Sequence, residues 1–380
     1  MRWFIALAAA LAVVACAGRP APATLPGHAI AGQVYVQAAA GEPSLLVVDS
    51  ATGQVVRTMP AGVPSPDWRR LYRLSAGALD VLDPLTGLRV ASHPVPAWAE
   101  VVRTSADGSW LVFARAGESD RFEVQDAGWT ARPVELALHG SFTFDGISGD
   151  GRRLYLLERL GGDRYHVRLY DLVAGTLEPY VIVDKSNLSP DMSGTALASF
   201  ATRSGAMQLT LYQRPAGQGN AFVHALPIGQ AAPFAFCVDL PGSPSGWGFA
   251  PAPDGRRFYA VNPADARVVE LSGDNVAPPA VRQRQVTTGG AGEPALAVSP
   301  DGATIYVGSG SGVAAVDAGT LRVRTAGLTG QRVSALATAS DGGAVYAVVG
   351  SRLLRLEPRS LALAGEVSLH APLGAILRVT

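Results

Sequence analysis

Lysine is all but missing from this chain: Lys185 is the single one among 31 basic residues, and the rest are arginine. Schiff-base chemistry therefore has one candidate amine in 380 residues. Charge of either sign is scarce. Charged residues make up 16% of the chain, well under the roughly one quarter usual in soluble domains. The 31 acidic residues cancel the 31 basic ones, and the arginines are scattered. A nucleic-acid partner needs a basic face to neutralise phosphates, so that class is set aside. The two cysteines, Cys16 and Cys237, form no Cys-x-x-Cys or Cys-x-x-Cys-His, which argues against redox-dithiol and haem c roles. Six histidines, His28, His93, His139, His166, His224 and His370, show neither His-x-His nor His-Glu-x-x-His spacing, so no metal site is legible. Gly242-Ser243-Pro244-Ser245-Gly246 and Gly308-Ser309-Gly310-Ser311-Gly312 are not Gly-x-Ser-x-Gly and do not join a strand to a helix, so they read as turns. No catalytic residue, metal ligand or cofactor-binding residue can be named, and no cofactor is expected.

What the chain does have begins at its N-terminus. Arg2 precedes an apolar run from Trp3 to Val14, and Ala15-Cys16 follows. A positive start, a short hydrophobic stretch and a small residue before the cut make an export signal. The run is too short for a membrane-spanning helix, which needs about 20 residues. Val13-Val14-Ala15-Cys16 resembles the lipobox of bacterial lipoproteins, which implies lipid attachment at Cys16 and anchoring to a membrane. Each buried acyl CH₂ contributes about 0.8 kcal/mol, and two or three chains hold a protein stably. Residues 17–29 are rich in Pro, Ala and Gly, a composition that makes a semi-rigid spacer. The expected organisation is a signal peptide at 1–15, lipidated Cys16 and a tether to residue 30, and one folded domain at 31–380. It places the protein outside the cytoplasm, on the outer face of the cytoplasmic membrane or in the periplasm or outer membrane.

Glycine (43) and proline (27) are plentiful and 48% of residues are hydrophobic, which suits a turn-rich all-β fold. A module recurs: an Asp-Gly turn, a strand, a turn, a second strand, a Thr-Gly-like turn and a third strand. The turn aspartates Asp67, Asp107, Asp150, Asp191, Asp254, Asp301 and Asp341 stand 40, 43, 41, 63, 47 and 40 residues apart. The copies at Asp67 and Asp191 lack the glycine, and the long interval after Asp191 implies an insertion or a decayed unit. A period in the low forties with three or four strands per unit is a propeller pattern. Five residues beyond each aspartate stand Tyr72, Val112, Tyr155, Ala196, Tyr259, Tyr306 and Tyr346, mostly between apolar neighbours. A strand apolar on alternating faces is buried on both, as inner propeller strands are. The aspartates themselves read as turn chemistry. Strands near Val34–Val36, Leu45–Asp49 and Val55–Val56, with one at Leu373–Val379, would complete a shared blade and leave no open edge. Eight four-stranded antiparallel blades are expected, with seven as the alternative.

Asp301-Gly302-Ala303-Thr304-Ile305-Tyr306-Val307, with Val316-Asp317-Ala318-Gly319-Thr320, resembles the YVTN-type and WD-repeat-like bacterial β-propellers. Asp83-Pro84-Leu85-Thr86-Gly87 and Asp49-Ser50-Ala51-Thr52-Gly53 match the same Asp-x-x-Thr-Gly turn. The resemblance spans about residues 31–380 and departs from true WD repeats in lacking the Gly-His and Trp-Asp pairs. It implies the fold and leaves the function open, since such scaffolds carry binding surfaces and enzymes alike. Cys237, in the apolar run Pro233–Val238, reads as a small core residue. Trp247 and Phe249, beside the irregular insertion, are the candidate binding surface. The sequence favours a non-catalytic binding or scaffold module for a protein, peptide or glycan. The alternative is a lactonase or quinoprotein dehydrogenase with its site at the central channel.

Overall fold

The computed structural model describes residues 30–380 except 40–42, 76, 187, 275, 287–289, 291 and 370. The signal segment, Cys16 and the tether to residue 29 lie outside the described residues. Those described form 33 strands and no helix, arranged as a β-propeller. In the closing blade the order is Val55–Pro60, Ser44–Asp49, Gln33–Ala38, Leu373–Val379. The last strand pairs antiparallel with Gln33–Ala38. The Gly32 amide reaches the Thr380 carbonyl at 2.8 Å and the Thr380 amide the Gln33 carbonyl at 3.0 Å.

The expectation of eight blades, or of seven, is corrected. Six blades are present, five of four strands and one of five. The units of Asp107 and Asp150 instead form one continuous eight-stranded sheet. The cause is the 14-residue strand Val134–Ile147. Its first part pairs with Ser119–Asp126 and its last part with Arg153–Gly161. The run VELALHGSFTFDGI has no proline, and its one Asp-Gly, Asp145-Gly146, lies inside the ladder to Arg153–Gly161 and does not turn the chain. Gly140 takes φ 126° and the register shifts between Phe144 and Gly146, yet the outer strand of one unit passes into the inner strand of the next without a loop. The five-stranded blade departs from pure antiparallel pairing as well, because Val183–Asp184 lies parallel to Phe234–Asp239.

Seven equivalent turns repeat one hydrogen-bond pair. In each, the first residue donates its amide to the carbonyl five residues on and accepts the amide three residues on: Ser65, Ser105, Ser148, Thr202, Ala252, Ser299 and Ala339. Where that residue is serine, its hydroxyl bonds the turn aspartate, at 2.6 Å in Ser65–Asp67 and Ser105–Asp107 and 2.5 Å in Ser148–Asp150 and Ser299–Asp301. The fourth turn is Thr202–Gly205, with Ser204 in the aspartate's place. Ser189–Asp191, where the sequence pattern put a turn of this series, is instead a loop segment whose Asp191 Oδ1 meets His166 Nε2 at 2.7 Å. The residue equivalent to the tyrosines is therefore Leu209 and not Ala196.

Tyr72, Tyr155, Tyr259, Tyr306 and Tyr346 are all buried, as are the residues flanking them on second strands such as Thr304–Ser309 and Arg257–Asn262. Burial fades outward: Leu363–Ser368 alternates exposed and half-buried, and Ala280–Gln285 is exposed throughout. The core is thus divided among seams between adjacent sheets. Tyr35, Trp68 and Leu377 fill one seam, and Tyr155, Tyr165, Tyr212 and Phe222 another. Each such side chain contributes roughly 1.5–3 kcal/mol on leaving water.

Candidate functional site

Trp247 and Phe249 do not form a surface. Trp247 is 1% exposed and donates Nε1–H to the Ser243 carbonyl at 2.8 Å, and Phe249, 7% exposed, packs against Phe200 and Phe258. They belong to the core between the five-stranded blade and its neighbour, where Gly248–Pro251 is the inner strand and Phe249 and Ala250 on its two faces are both buried. Their candidacy as a binding surface is corrected on that ground. Of the described histidines, His93 stacks on Trp129 at 4.2 Å, His139 is exposed, and His166 sits beside Asp191 and Glu158. Among the described residues no three His, Cys, Asp or Glu side chains come together in a metal-holding group.

Two arrangements hold unabsorbed chemistry. The first is a polar cluster in the seam between the eight-stranded sheet and the five-stranded blade. The Tyr165 and Tyr212 rings stack at 5.4 Å, Tyr212 stacks on Phe222 at 5.0 Å, and the Arg214 guanidinium lies 4.3 Å over Phe222. His224, 0% exposed, stands across the ladder from Cys237. Neither tyrosine hydroxyl, neither His224 ring nitrogen and not Asp145 Oδ2 has a hydrogen-bond partner. Burial drives the titrations: it raises the Asp145 carboxyl to about 7, lifts both phenols well above their usual range, and lowers His224 to about 4 against the pull of Asp184. Burial and Asp184 also push the Cys237 thiol up, so it is no nucleophile at neutral pH. Groups tuned this way mark functional sites in many proteins, yet Tyr165, Tyr212 and His224 are sealed in core packing.

The second arrangement is open. A groove of ≈ 630 Å³ runs between the outer strand Ala280–Gln285 and the turn before the outer strand Arg322–Gly327 of the next blade, lined by Arg282, Arg284, Thr320 and Arg322. A smaller hollow of ≈ 230 Å³ adjoins it and shares Arg284, Leu321 and Arg322. The turn builds the floor. Asp317 Oδ1 accepts the Thr320 amide at 2.6 Å, and Leu321 takes φ 53° and points into the core. That inversion sends the carbonyls of Ala318, Gly319 and Thr320 toward the neighbouring blade. Arg282 donates to the Ala318 carbonyl at 2.6 Å and to Gly319, and pairs with Glu270 Oε2 at 2.6 Å. Arg284 reaches the Thr320 carbonyl at 3.3 Å. Arg324 pairs with Asp317. Arg284 and Arg322 face no carboxylate among the described residues, so two uncompensated guanidinium groups flank the centre of the groove. Guanidinium forks suit carboxylates and other oxyanions. The sequence reading missed this site by treating the arginines one at a time; Arg-x-Arg at 282–284 occurs again at 322–324, on the outer strand of the next blade.

Comparison with solved structures places the chain among β-propellers. Over 90% of this chain and 96% of the other, it is similar to apo AztD from Citrobacter koseri, at 12% identity and a TM-score of 0.59. Over 79% of this chain it is similar to dihydro-heme d1 dehydrogenase NirN in complex with DHE, at 14% identity and a TM-score of 0.54. It spans 63% of the length of that protein. Identities this low show shared architecture only. No family model matches the chain, and no curated protein matches it in sequence.

Proposed function

We propose that this chain is an exported, lipid-anchored propeller that binds a protein, peptide or glycan without transforming it. The observation that carries the reading is the open groove flanked by Arg284 and Arg322, two guanidinium groups that face no carboxylate among the described residues, on a chain of zero formal charge. The lipobox-like Val13-Val14-Ala15-Cys16, after Arg2 and an apolar run, supports the anchor and with it display outside the cytoplasm. Crosslinking in intact membranes of the native host tests the groove. Adducts to the parent protein should fade when Arg284→Glu and Arg322→Glu are combined, and undiminished adducts would remove the groove from the account. Mass spectrometry of the same material should find diacylglyceride on Cys16; a bare N-terminus after residue 15 would remove the anchor.

A second reading, an enzyme of the lactonase or quinoprotein dehydrogenase type, draws on the Asp145–Tyr165–Tyr212 cluster and on the fold shared with NirN. It ranks lower because a substrate would have to displace core side chains to reach those groups. Turnover by purified protein that Asp145→Asn abolishes would reverse the ranking.

A further inference from the structure

We propose that the groove receives an extended acidic peptide with carboxylates at alternate positions; this rests on the binding reading and names the ligand for it. Ala280–Gln285 ends its sheet, paired on one side with Arg267–Ser272, and all six of its residues are exposed. Such an edge offers unpaired backbone donors and acceptors along its free side. A peptide laid there can add as a further strand, with main-chain bonds supplying affinity and side chains supplying selection.

The charge pattern sets the selection. Arg282 and Arg284 alternate on one strand, and Arg322 and Arg324 alternate on the outer strand of the next blade. Residues two apart on a strand lie roughly 6.8 Å apart on one face. An extended peptide presents every second side chain at that same interval, so its carboxylates fall in step with Arg282, shared with Glu270, and Arg284, which faces no carboxylate among the described residues. Neither outer strand contains an acidic residue.

A structural explanation competes: charged side chains on outer strands discourage edge-to-edge aggregation. That explanation predicts a charge on each outer strand with no shared sign. The other four-stranded blades fit it, with Arg57 in Val55–Pro60, Arg89 in Arg89–Pro94 and Glu366 in Leu363–Ser368. Three arginines from two adjacent blades, Arg282, Arg284 and Arg322, lining one groove, go beyond it.

The test is fluorescence anisotropy with the full chain in detergent at low salt. The probes are a labelled peptide of alternating Glu and Thr, a peptide of the same composition with its glutamates in one block, and polygalacturonate. The expected result is tighter binding of the alternating peptide. Combining Arg284→Glu with Arg322→Glu should weaken it about tenfold or more, from the loss of two charge-assisted contacts and their reversal. The milder Arg284→Gln and Arg322→Gln should each weaken it in part with the melting curve unchanged. Arg115→Glu, exposed and far from the groove in sequence, should leave binding as it was. Equal affinity for the block peptide would overturn the alternating register. Polygalacturonate bound through the same arginines, with neither peptide bound, would overturn the peptide and leave the binding reading standing. No binding of any probe, or binding indifferent to the arginines, would overturn both.

Discussion

Trp68 occupies the turn position that glycine holds at 108, 151, 205, 255, 302 and 342, and it adopts φ 56° where they take positive φ. A bulky residue in that region is strained. What holds it is packing: the indole lies 5.5 Å from the Tyr35 ring with Arg378 5.2 Å above it. Trp68→Gly relieves the backbone and empties the seam, so the expected net loss is about 3 kcal/mol in a urea melt; a gain would show that backbone strain outweighs packing. The buried tyrosines divide by their hydroxyls. Tyr155 donates to the Pro227 or Gln230 carbonyl, each at 3.0 Å, whereas the Tyr212 hydroxyl has no partner. Tyr155→Phe should cost about 1 kcal/mol, while Tyr212→Phe should be neutral or stabilising. Periodicity placed Tyr155 in the core correctly and did not reach Tyr212. It could not sort their hydroxyls, because partners such as Pro227 stand far off in the chain.

At the scale of the element, the turns carry an acid limit. Burial alone would raise Asp67, Asp107, Asp150 and Asp254, but hydrogen bonds from serine hydroxyls, backbone amides or Arg257 hold them below the usual carboxylate range; the Ser299 hydroxyl does the same for Asp301. A depressed carboxylate stabilises the fold fully above its unfolded pKa, near 4, and loses that contribution as pH falls through its folded value. Asp145 and Glu123 run the other way. Burial raises Asp145 to about 7, and burial together with Glu135 raises Glu123 to about 7, so their contribution is lost as pH rises from about 4 to 7. Asp145→Asn should therefore stabilise the protein at pH 8, the gain shrinking steadily toward pH 4. A gain independent of pH, measured by thermal melts, would assign the effect to packing instead. The turns were legible in the sequence because Ser-x-Asp-Gly is local. The fourth was misplaced because Thr202 and Ser204 do the same work without a carboxylate, while Asp191 supplied the expected letter in the wrong place. The merger of two units through Val134–Ile147 was illegible to a count of these turns, since those at Ser105 and Ser148 are both in place and only the loop between the units is gone.

For the whole molecule, the seam between Gln33–Ala38 and Leu373–Val379 closes the ring of sheets. Deleting 373–380 exposes the paired edge of Gln33–Ala38 and uncovers Tyr35 and Trp68, so the truncated chain should aggregate on expression, visible by size-exclusion chromatography; a soluble monomer melting like the parent would show that closure is dispensable. The architecture was readable because burial on both strand faces is written into alternating positions. The groove was not, because it depends on which outer strands become neighbours. The closing pair has a mechanical consequence too. Val34 faces Val379 and Ala38 faces Leu373, so the two ends leave the same end of one antiparallel pair. A force drawing those ends apart loads the rungs singly, like a zip opened from its slider, whereas a force taken up at the outer strands is spread over many rungs in shear.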